Sequence, residues 1–226
     1  MRKIAGLADE SAAYRTARQE LVAAEIALRE QTITVAALRR RLPLGAEVSD
    51  YEFDEGPFDL GADGPVRRVH LADLFGQPEK PLIVYHLMYG GTQTEPCPMC
   101  SMWIDGFNGV ARHVAQRANL AVVAQAPIGA IRAWGRQRGW HSLRLLSSSS
   151  STFKTDLNTQ TPEGDQRPAI SVFTRCSDGS SRHFWTGEAY LNDATWGGLD
   201  QYSPVWNLFD LTPEGREAWM PQREYP

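Results

Sequence analysis

Residues 81–100 of the chain read PLIVYHLMYGGTQTEPCPMC. The segment from Pro81 to Tyr89 is almost continuously apolar, which is typical of a strand buried on both faces, as in a parallel sheet. A glycine-rich loop follows it, and a Cys-x-x-Cys motif then precedes residues 101–118, whose pattern predicts a helix. The sequence therefore predicts a buried strand and a helix with a pair of cysteines at their junction.

The segments that follow continue this alternation of strands and helices. A turn with Asp-Gly at its centre, residues 177–180, separates two short strand-like segments and predicts a hairpin. Strands that alternate with helices predict a parallel core sheet, and an added hairpin makes that sheet mixed. The predicted strands are 51–53, 66–71, 81–89, 120–126, 169–174 and 182–185, and the predicted helices are 101–118, 128–139 and one that begins at Thr212 and Pro213. The serine tract at 147–151 is predicted to be a loop inside the domain.

An amphipathic pattern precedes the domain, over residues 9–42, and stops at Pro43. It predicts a helical arm, and the β-branched segment 32–35 leaves two shorter helices as an alternative. We therefore predict two parts, an N-terminal helical arm over residues 1–45 and an α/β domain over residues 46–226. The arm either packs on the domain or joins two copies of the chain as a homodimer.

The composition restricts the function further. The chain has 226 residues, a formal net charge of −4 and three cysteines. Three cysteines are too few for a secreted disulfide framework, and a pI near 5.8 argues against nucleic-acid binding. The sequence has no segment with the apolar length of a signal peptide or a membrane helix. We therefore expect a cytoplasmic protein that binds neither nucleic acid nor membrane.

Cys97 and Cys100 form the motif with the clearest chemistry. A thiolate is the reactive form of cysteine, and the positive end of a helix dipole lowers the pKa of a thiol. Two intervening residues let the second sulfur reach the first, so that a mixed disulfide is resolved within the protein. Pro98 suits the first helical position. The motif predicts Cys97 as the nucleophile and Cys100 as the resolving thiol, and the single Cys176 does not supply the second ligand pair of a structural zinc site.

Several short motifs occur together along the chain. They are Tyr51-Glu52-Phe53, Leu74-Phe75-Gly76, Tyr85-His86-Leu87-Met88, Cys97-Pro98-Met99-Cys100-Ser101, Asp105-Gly106-Phe107-Asn108-Gly109, Gly139-Trp140, Ser-Ser before Phe153, and Asp210-Leu211-Thr212-Pro213-Glu214-Gly215-Arg216. Together they resemble one bacterial family, DUF899, over residues 20–217. Its members are described as thioredoxin-like proteins of uncharacterised activity. The resemblance implies a thioredoxin-like mixed sheet flanked by helices, with Cys97 and Cys100 at the redox position of that fold. The chain departs from thioredoxin proper in having Pro96 before the motif and Pro-Met within it.

Thiol–disulfide exchange is the first functional hypothesis, with a protein or small-molecule thiol or disulfide as the partner. Pro168 stands directly before the predicted strand 169–174, which follows two strand–helix units, and thioredoxin-like folds place a cis-proline there beside the cysteines. It either shapes a substrate groove in this way or simply opens the strand. The direction of the redox reaction stays open.

A thiol peroxidase is one alternative. Thr94-x-x-Cys97 is similar to the peroxidatic loop of peroxiredoxins, in which a hydroxyl and an arginine orient a peroxide against a thiolate. Arg167 lies where such an arginine would come from. The chain departs from that family in having Gly90 where peroxiredoxins carry a proline.

Copper binding is the other alternative, because thiolate and imidazole ligands both suit copper. Cys97, Cys100, His86 and His183 would form the ligand set, similar to that of copper-delivery proteins of the Sco type, although the cysteine spacing differs. His86 is equally well explained as a core histidine with satisfied hydrogen bonds. We assign no other cofactor.

Two further residues are candidates for supporting roles. Asp105 follows the resolving cysteine by five residues and is either an exposed helix residue or a proton acceptor for the Cys100 thiol. Trp140 lies where a loop could cover the cysteines, and it either lines a substrate groove or fills the core.

Overall fold

The computed structural model describes residue 6, residues 9–192 and residues 194–225. The chain divides into two compact units, residues 1–43 and residues 44–226. The domain boundaries predicted from the sequence, 1–45 and 46–226, stay a prediction, and residues 1–5 and 7–8 of the arm lie outside the described residues.

The N-terminal unit contains one continuous helix, α1 (Ala12–Arg40). The Ser11 hydroxyl caps its start by accepting a hydrogen bond from the Tyr14 amide at 3.1 Å. The hydroxyls of Thr32 and Thr34 donate to carbonyls one turn earlier, so these β-branched residues fit within the helix. The two-helix alternative is therefore wrong, and the packing or dimerisation role of the arm stays a prediction.

The second unit is built on a seven-stranded mixed sheet. Its spatial order is β2-β1-β5-β4-β3-β6-β7, with β3, β4 and β5 parallel and the remaining pairs antiparallel. A separate two-stranded sheet follows. The strands are β1 (Glu52–Glu55), β2 (Arg67–His70), β3 (Leu82–His86), β4 (Asn119–Ala124), β5 (Arg144–Ser147), β6 (Ala169–Arg175), β7 (Ser181–Glu188), β8 (Tyr190–Asn192) and β9 (Thr195–Trp196). The helices are α2 (Pro98–Val114), α3 (Ile128–Arg138), α4 (Phe153–Asp156) and α5 (Pro204–Phe209), and 3₁₀ turns cover Leu71–Leu74 and Asp200–Tyr202.

The central strand β3 separates two hydrophobic clusters. Alternate side chains of a strand point to opposite faces of the sheet. Leu82 and Val84 accordingly pack into one cluster with Phe53 and Phe153. Tyr85 and Leu87 pack into the other, which also contains both cysteines of the motif. Burial on both faces explains the continuous apolar segment that predicted this strand.

Two parts of the predicted fold need correction. Residues 144–147 form β5, a buried strand parallel to β4, which the sequence did not indicate because Arg144 and Ser147 interrupt its apolar pattern. The helix predicted at Thr212 and Pro213 is wrong, since this segment forms turns. The last helix is α5, which Ser203 caps from the preceding position.

The loop between β3 and α2 is pressed closely against the neighbouring strand end. Gly90 has φ +101°, and a Cβ atom there would lie 2.3 Å from the backbone nitrogen of Ala126. Only glycine fits such an approach. The Cys97 amide then donates to the Met88 carbonyl at 3.1 Å. These contacts fix the first cysteine at the carboxyl end of β3.

Candidate functional site

Cys97 is the cap residue at the start of α2. Its sulfur accepts a hydrogen bond from the backbone amide of Cys100, with 3.5 Å between the nitrogen and Sγ. Pro98 occupies the first turn, where a missing N–H group costs nothing. The helix therefore directs its free amides and the positive end of its dipole at the Cys97 sulfur.

The backbone of this cap is held by a side-chain network behind it. The Ser101 hydroxyl donates to the Cys97 carbonyl at 3.0 Å. The indole Nε1 of Trp134 in turn donates to the Ser101 hydroxyl at 2.9 Å. Ser101 is completely buried and Trp134 nearly so. The first turn of α2 is therefore fixed to α3 as well as to β3.

These surroundings make the Cys97 thiol acidic. The hydrogen bond with the Cys100 side chain is the largest cause that lowers the pKa of Cys97, to about 7. The backbone amides of Cys100 and Met99 add to the decrease, as does the positive charge of Arg223, and burial opposes it. A large fraction of Cys97 is therefore thiolate at neutral pH.

Cys100 shows the opposite behaviour. It is completely buried, and burial is the largest cause that raises its pKa well above the ordinary value. The hydroxyl of Tyr85 and the amide of Met88 favour the thiolate of Cys100 and offset part of the increase. In the described part of the chain the Tyr85 hydroxyl has no other hydrogen-bond partner. It is therefore a donor that becomes useful when Cys100 ionises.

A cavity of about 1160 Å³ opens beside the cysteines. Its lining includes Cys97, Cys100, Arg167 and Pro168. Residues of the β8–β9 hairpin also line it. The cavity gives a large substrate access to the acidic thiol.

The residues predicted to form the groove fall into different places. Pro168 lines the cavity, but the described residues contain no cis peptide bond, so Pro168 follows a trans bond. Arg167 also lines the cavity, and its guanidinium donates to Asn158 Oδ1 at 3.0 Å. Thr94 is exposed and is not among the lining residues. Of the pair proposed for a peroxidase, the structure therefore brings only the arginine to the cavity.

Asp105 and Trp140 contact each other rather than the cysteines. The Trp140 indole donates to Asp105 Oδ1 at 2.7 Å, and the Arg138 guanidinium forms an ion pair with the same carboxylate. Trp140 is completely buried in the core cluster. Asp105 therefore makes a structural contact with α3 and the loop that follows it. Trp140 belongs to the core.

The two histidines considered as copper ligands belong to a chain of hydrogen-bonded side chains. His86 contacts Ser171 Oγ through Nε2 at 2.9 Å and Thr159 Oγ1 through Nδ1 at 3.1 Å. Ser171 continues to Thr186 at 2.8 Å, and Thr186 to His183 Nε2 at 2.8 Å. Burial lowers the pKa of His86 well below its ordinary value. Within the described ranges no group of three or more His, Cys, Asp or Glu side chains could hold a metal ion. The structure therefore does not support copper binding.

Two charged residues near the site were not found from the sequence. Arg223 donates through Nε to the Pro96 carbonyl at 3.1 Å, directly before Cys97. Lys154, in α4, is buried, and its amine donates to the Leu87 carbonyl at 3.0 Å. No local motif marks either residue, because each reaches the site across a long stretch of sequence.

The comparisons with known proteins place the chain in a family. The model of a bacterial protein family of unknown function, DUF899, matches residues 7–225. The chain belongs to the DUF899 family. The comparison with curated proteins found no match for this DUF899 protein. Within the described residues no helix is long and apolar enough to span a bilayer.

Solved structures of other proteins are similar to this DUF899 protein. A Burkholderia cenocepacia protein, provisionally called a thioredoxin reductase, is 16% identical with a TM-score of 0.50, and the match covers 69% of this chain and 90% of that one. The reduced 2-Cys peroxiredoxin of Plasmodium vivax is 15% identical, with 74% and 96% covered and a TM-score of 0.48. The mitochondrial 2-Cys peroxiredoxin of Plasmodium falciparum is 13% identical, with 75% and 95% covered and a TM-score of 0.48. The match to the Burkholderia cenocepacia structure and the mixed sheet with its flanking helices confirm the predicted α/β, thioredoxin-like fold.

Proposed function

We propose that this protein is a thiol–disulfide oxidoreductase in which Cys97 attacks the substrate and Cys100 resolves the mixed disulfide. One observation carries the proposal, namely two thiols on one helical turn whose pKa values are shifted in opposite directions. The acidic thiol lies at the helix start beside a cavity, and the second is completely buried behind it. An acidic outer thiol and a protected inner one are what a two-step exchange requires.

The exchange proceeds by two substitutions at sulfur. The Cys97 thiolate attacks one sulfur of a disulfide, a bond forms between them, and the other substrate sulfur leaves as a thiolate. The Cys100 thiolate then attacks Cys97 Sγ, the protein disulfide forms, and the second substrate sulfur leaves. The substrate is reduced by two electrons and the protein is oxidised, so a dithiol reductant must restore the cysteines. The same steps in reverse oxidise a substrate dithiol.

The proposed substrate is a protein or small-molecule disulfide in the cytoplasm. The size of the cavity supports a substrate larger than a simple peroxide, since binding sites of several hundred Å³ accommodate drug-sized molecules. A cytoplasmic location agrees with three free cysteines, because cytoplasmic reductants keep thiols reduced.

Equilibration with mixtures of reduced and oxidised glutathione tests the proposal. We expect a Cys97–Cys100 disulfide with a defined reduction potential, detected by mass spectrometry as the loss of two hydrogen atoms. The Cys176→Ser variant is the matched control and should behave as wild type. The Cys100→Ser variant should stop at a glutathione adduct on Cys97. If the wild-type protein forms no internal disulfide, the proposal is refuted.

Peroxide reduction is a second candidate, and the acidity of Cys97 favours it. The Cys97 thiolate would attack a peroxide oxygen, giving a sulfenic acid and releasing hydroxide, or alkoxide from an organic peroxide, and Cys100 would displace the sulfenic oxygen as water to form the disulfide. The decisive comparison is between rate constants for hydrogen peroxide and for glutathione disulfide in single-turnover reactions. We expect the disulfide to react faster, because Thr94 lies outside the cavity and leaves the peroxide without that hydroxyl.

A further inference from the structure

Lys154 is an unusual residue for a protein interior. Only 2% of its surface is exposed, and its amine donates one hydrogen bond, to the Leu87 carbonyl. No ion pair joins it to a carboxylate in the part of the chain that the structure describes. Lysines are almost never fully buried unless they are paired, because a buried charge is costly. A buried amine next to a redox motif therefore requires an explanation.

The backbone segment Leu87–Met88 connects this amine to both cysteines. The Leu87 carbonyl accepts from Lys154 Nζ at 3.0 Å, and the Met88 carbonyl accepts from the Cys97 amide at 3.1 Å. The amide between these two carbonyls, that of Met88, favours the thiolate of Cys100. The Leu87–Met88 peptide therefore carries the lysine on its carbonyl side and the resolving cysteine on its amide side.

The charges of Lys154 and Cys100 depend on each other. Burial lowers the pKa of Lys154 to about 7, and the negative charge of Cys100 acts in the opposite direction. Such a coupling is reciprocal, so a protonated Lys154 favours the Cys100 thiolate to the same extent. At neutral pH the amine is therefore ready to gain or lose a proton when the charge of Cys100 changes.

We propose that Lys154 is the buried cation that balances the Cys100 thiolate when Cys100 attacks the mixed disulfide. This inference rests on the proposed thiol–disulfide exchange. The Cys100 thiol gives up its proton and the Lys154 amine takes one up, which leaves a thiolate and a cation. When the Cys100–Cys97 bond forms, the bond from Cys97 to the substrate sulfur breaks and its electron pair leaves with the substrate thiolate. The negative charge then moves out of the interior, and Lys154 releases its proton to solvent or to the departing thiolate. Lys154 acts as a positioning residue, because it works through the charge of another group.

The other ionisable groups around Lys154 and Cys100 do not balance the charge of the Cys100 thiolate. Burial lowers the pKa of His86 and the charge of Lys154 lowers it further, so this imidazole stays neutral. Burial and the Cys100 charge raise the pKa of Tyr85, so its phenol keeps its proton. Cys97 is consumed in the mixed disulfide at this step. Lys154 is therefore the group whose charge can change with that of Cys100.

A comparison of two lysine-to-methionine variants tests the inference by kinetics. Lys154→Met removes the buried amine, and Lys80→Met removes a partly exposed amine that also donates to a backbone carbonyl, that of Ala115 at 2.8 Å. In single-turnover reactions with a chromogenic disulfide at neutral pH, we expect mixed-disulfide formation to keep its wild-type rate in both variants. Resolution should slow at least tenfold in Lys154→Met alone and should recover at high pH. An unchanged rate of resolution would overturn the inference.

A measurement on the wild-type protein covers the case in which Lys154→Met does not fold. Isotope-labelled lysine signals, titrated by NMR in the dithiol and disulfide forms, give the pKa of Lys154 in each form. We expect a lower pKa in the disulfide form by one unit or more, and equal values would overturn the inference. If the wild-type protein forms no mixed disulfide at all, the proposed function itself fails, and this inference fails with it.

Discussion

The surroundings of Cys97 and of Cys100 differ, although one turn of helix separates them. Cys97 has a hydrogen bond with the Cys100 side chain, backbone amides from the helix start and the positive charge of Arg223, and its pKa falls to about 7. Cys100 is completely buried, and burial raises its pKa, while Tyr85, the Met88 amide and the proposed Lys154 cation favour its thiolate. The comparison teaches that two identical side chains acquire different chemistry from their hydrogen-bond partners, the charges near them and their burial.

Removing each sulfur in turn gives the largest expected difference. Cys97→Ser should lower the rate of disulfide reduction by at least ~10³-fold, the scale of loss when a nucleophile is removed. Cys100→Ser should keep the first attack and accumulate the mixed disulfide. Stopped-flow absorbance with a chromogenic disulfide measures both steps. Equal losses of the first step in the two variants would contradict the assignment of roles.

The buried amine should leave a signature in the pH dependence of stability. The pKa of Lys154 falls from 10.5 to about 7 on folding, so the unfolded chain binds more protons between these values and stability rises with pH across that range. From about pH 7 to about pH 9, wild type should gain about 2 kcal/mol in its free energy of unfolding relative to Lys154→Met. Urea denaturation at the two pH values measures this difference. Parallel pH profiles for the two proteins would contradict the burial of an ionisable amine.

A smaller change isolates the hydroxyl beside Cys100. Tyr85→Phe removes the donor that favours the Cys100 thiolate, and we expect resolution to slow by about fivefold, corresponding to a hydrogen bond of about 1 kcal/mol. The free energy of unfolding of the reduced protein should change little, because the hydroxyl has no other partner in the described residues. Single-turnover kinetics and urea denaturation measure the two quantities. A large loss of stability without a kinetic effect would assign Tyr85 to packing.

The smallest effect concerns the exposed cation at Cys97. Arg223→Gln should raise the pKa of Cys97 by about half a unit, as expected for a solvent-exposed charge pair. The pH dependence of alkylation by iodoacetamide measures this shift, which high salt should reduce. Arg167→Gln is the matched control and should leave the pKa unchanged. A shift in the control alone would make Arg167 the arginine that acts on Cys97.

Much of the fold could be predicted because its signals are local. The apolar segment of β3 and the cysteine pair at the start of α2 are contiguous in sequence, and the Asp-Gly turn before β7 identifies its hairpin. The segment that forms β5 contains only four residues, and it is a strand because it pairs with β4 and β1, which no local pattern shows.

As with the fold, the parts of the site that have local signals in the sequence were predicted. The helix position of Cys97 follows from Pro98 and the spacing of the motif, whereas the cation at the Pro96 carbonyl comes from residue 223. His86 was open to two interpretations until its two hydroxyl partners, on separate segments, were located. Residues that act through tertiary contacts of this kind have no recognisable pattern in the sequence around them.

The contact between Arg223 and the Pro96 carbonyl has a consequence for biosynthesis. Ribosomes make the chain from its N-terminus, so Cys97 leaves them long before residue 223 has been added. The guanidinium that helps to acidify this thiol is then missing. The nascent protein therefore passes through a period in which the Cys97 thiol is less acidic, and its full acidity waits for the segment around Arg223 to fold.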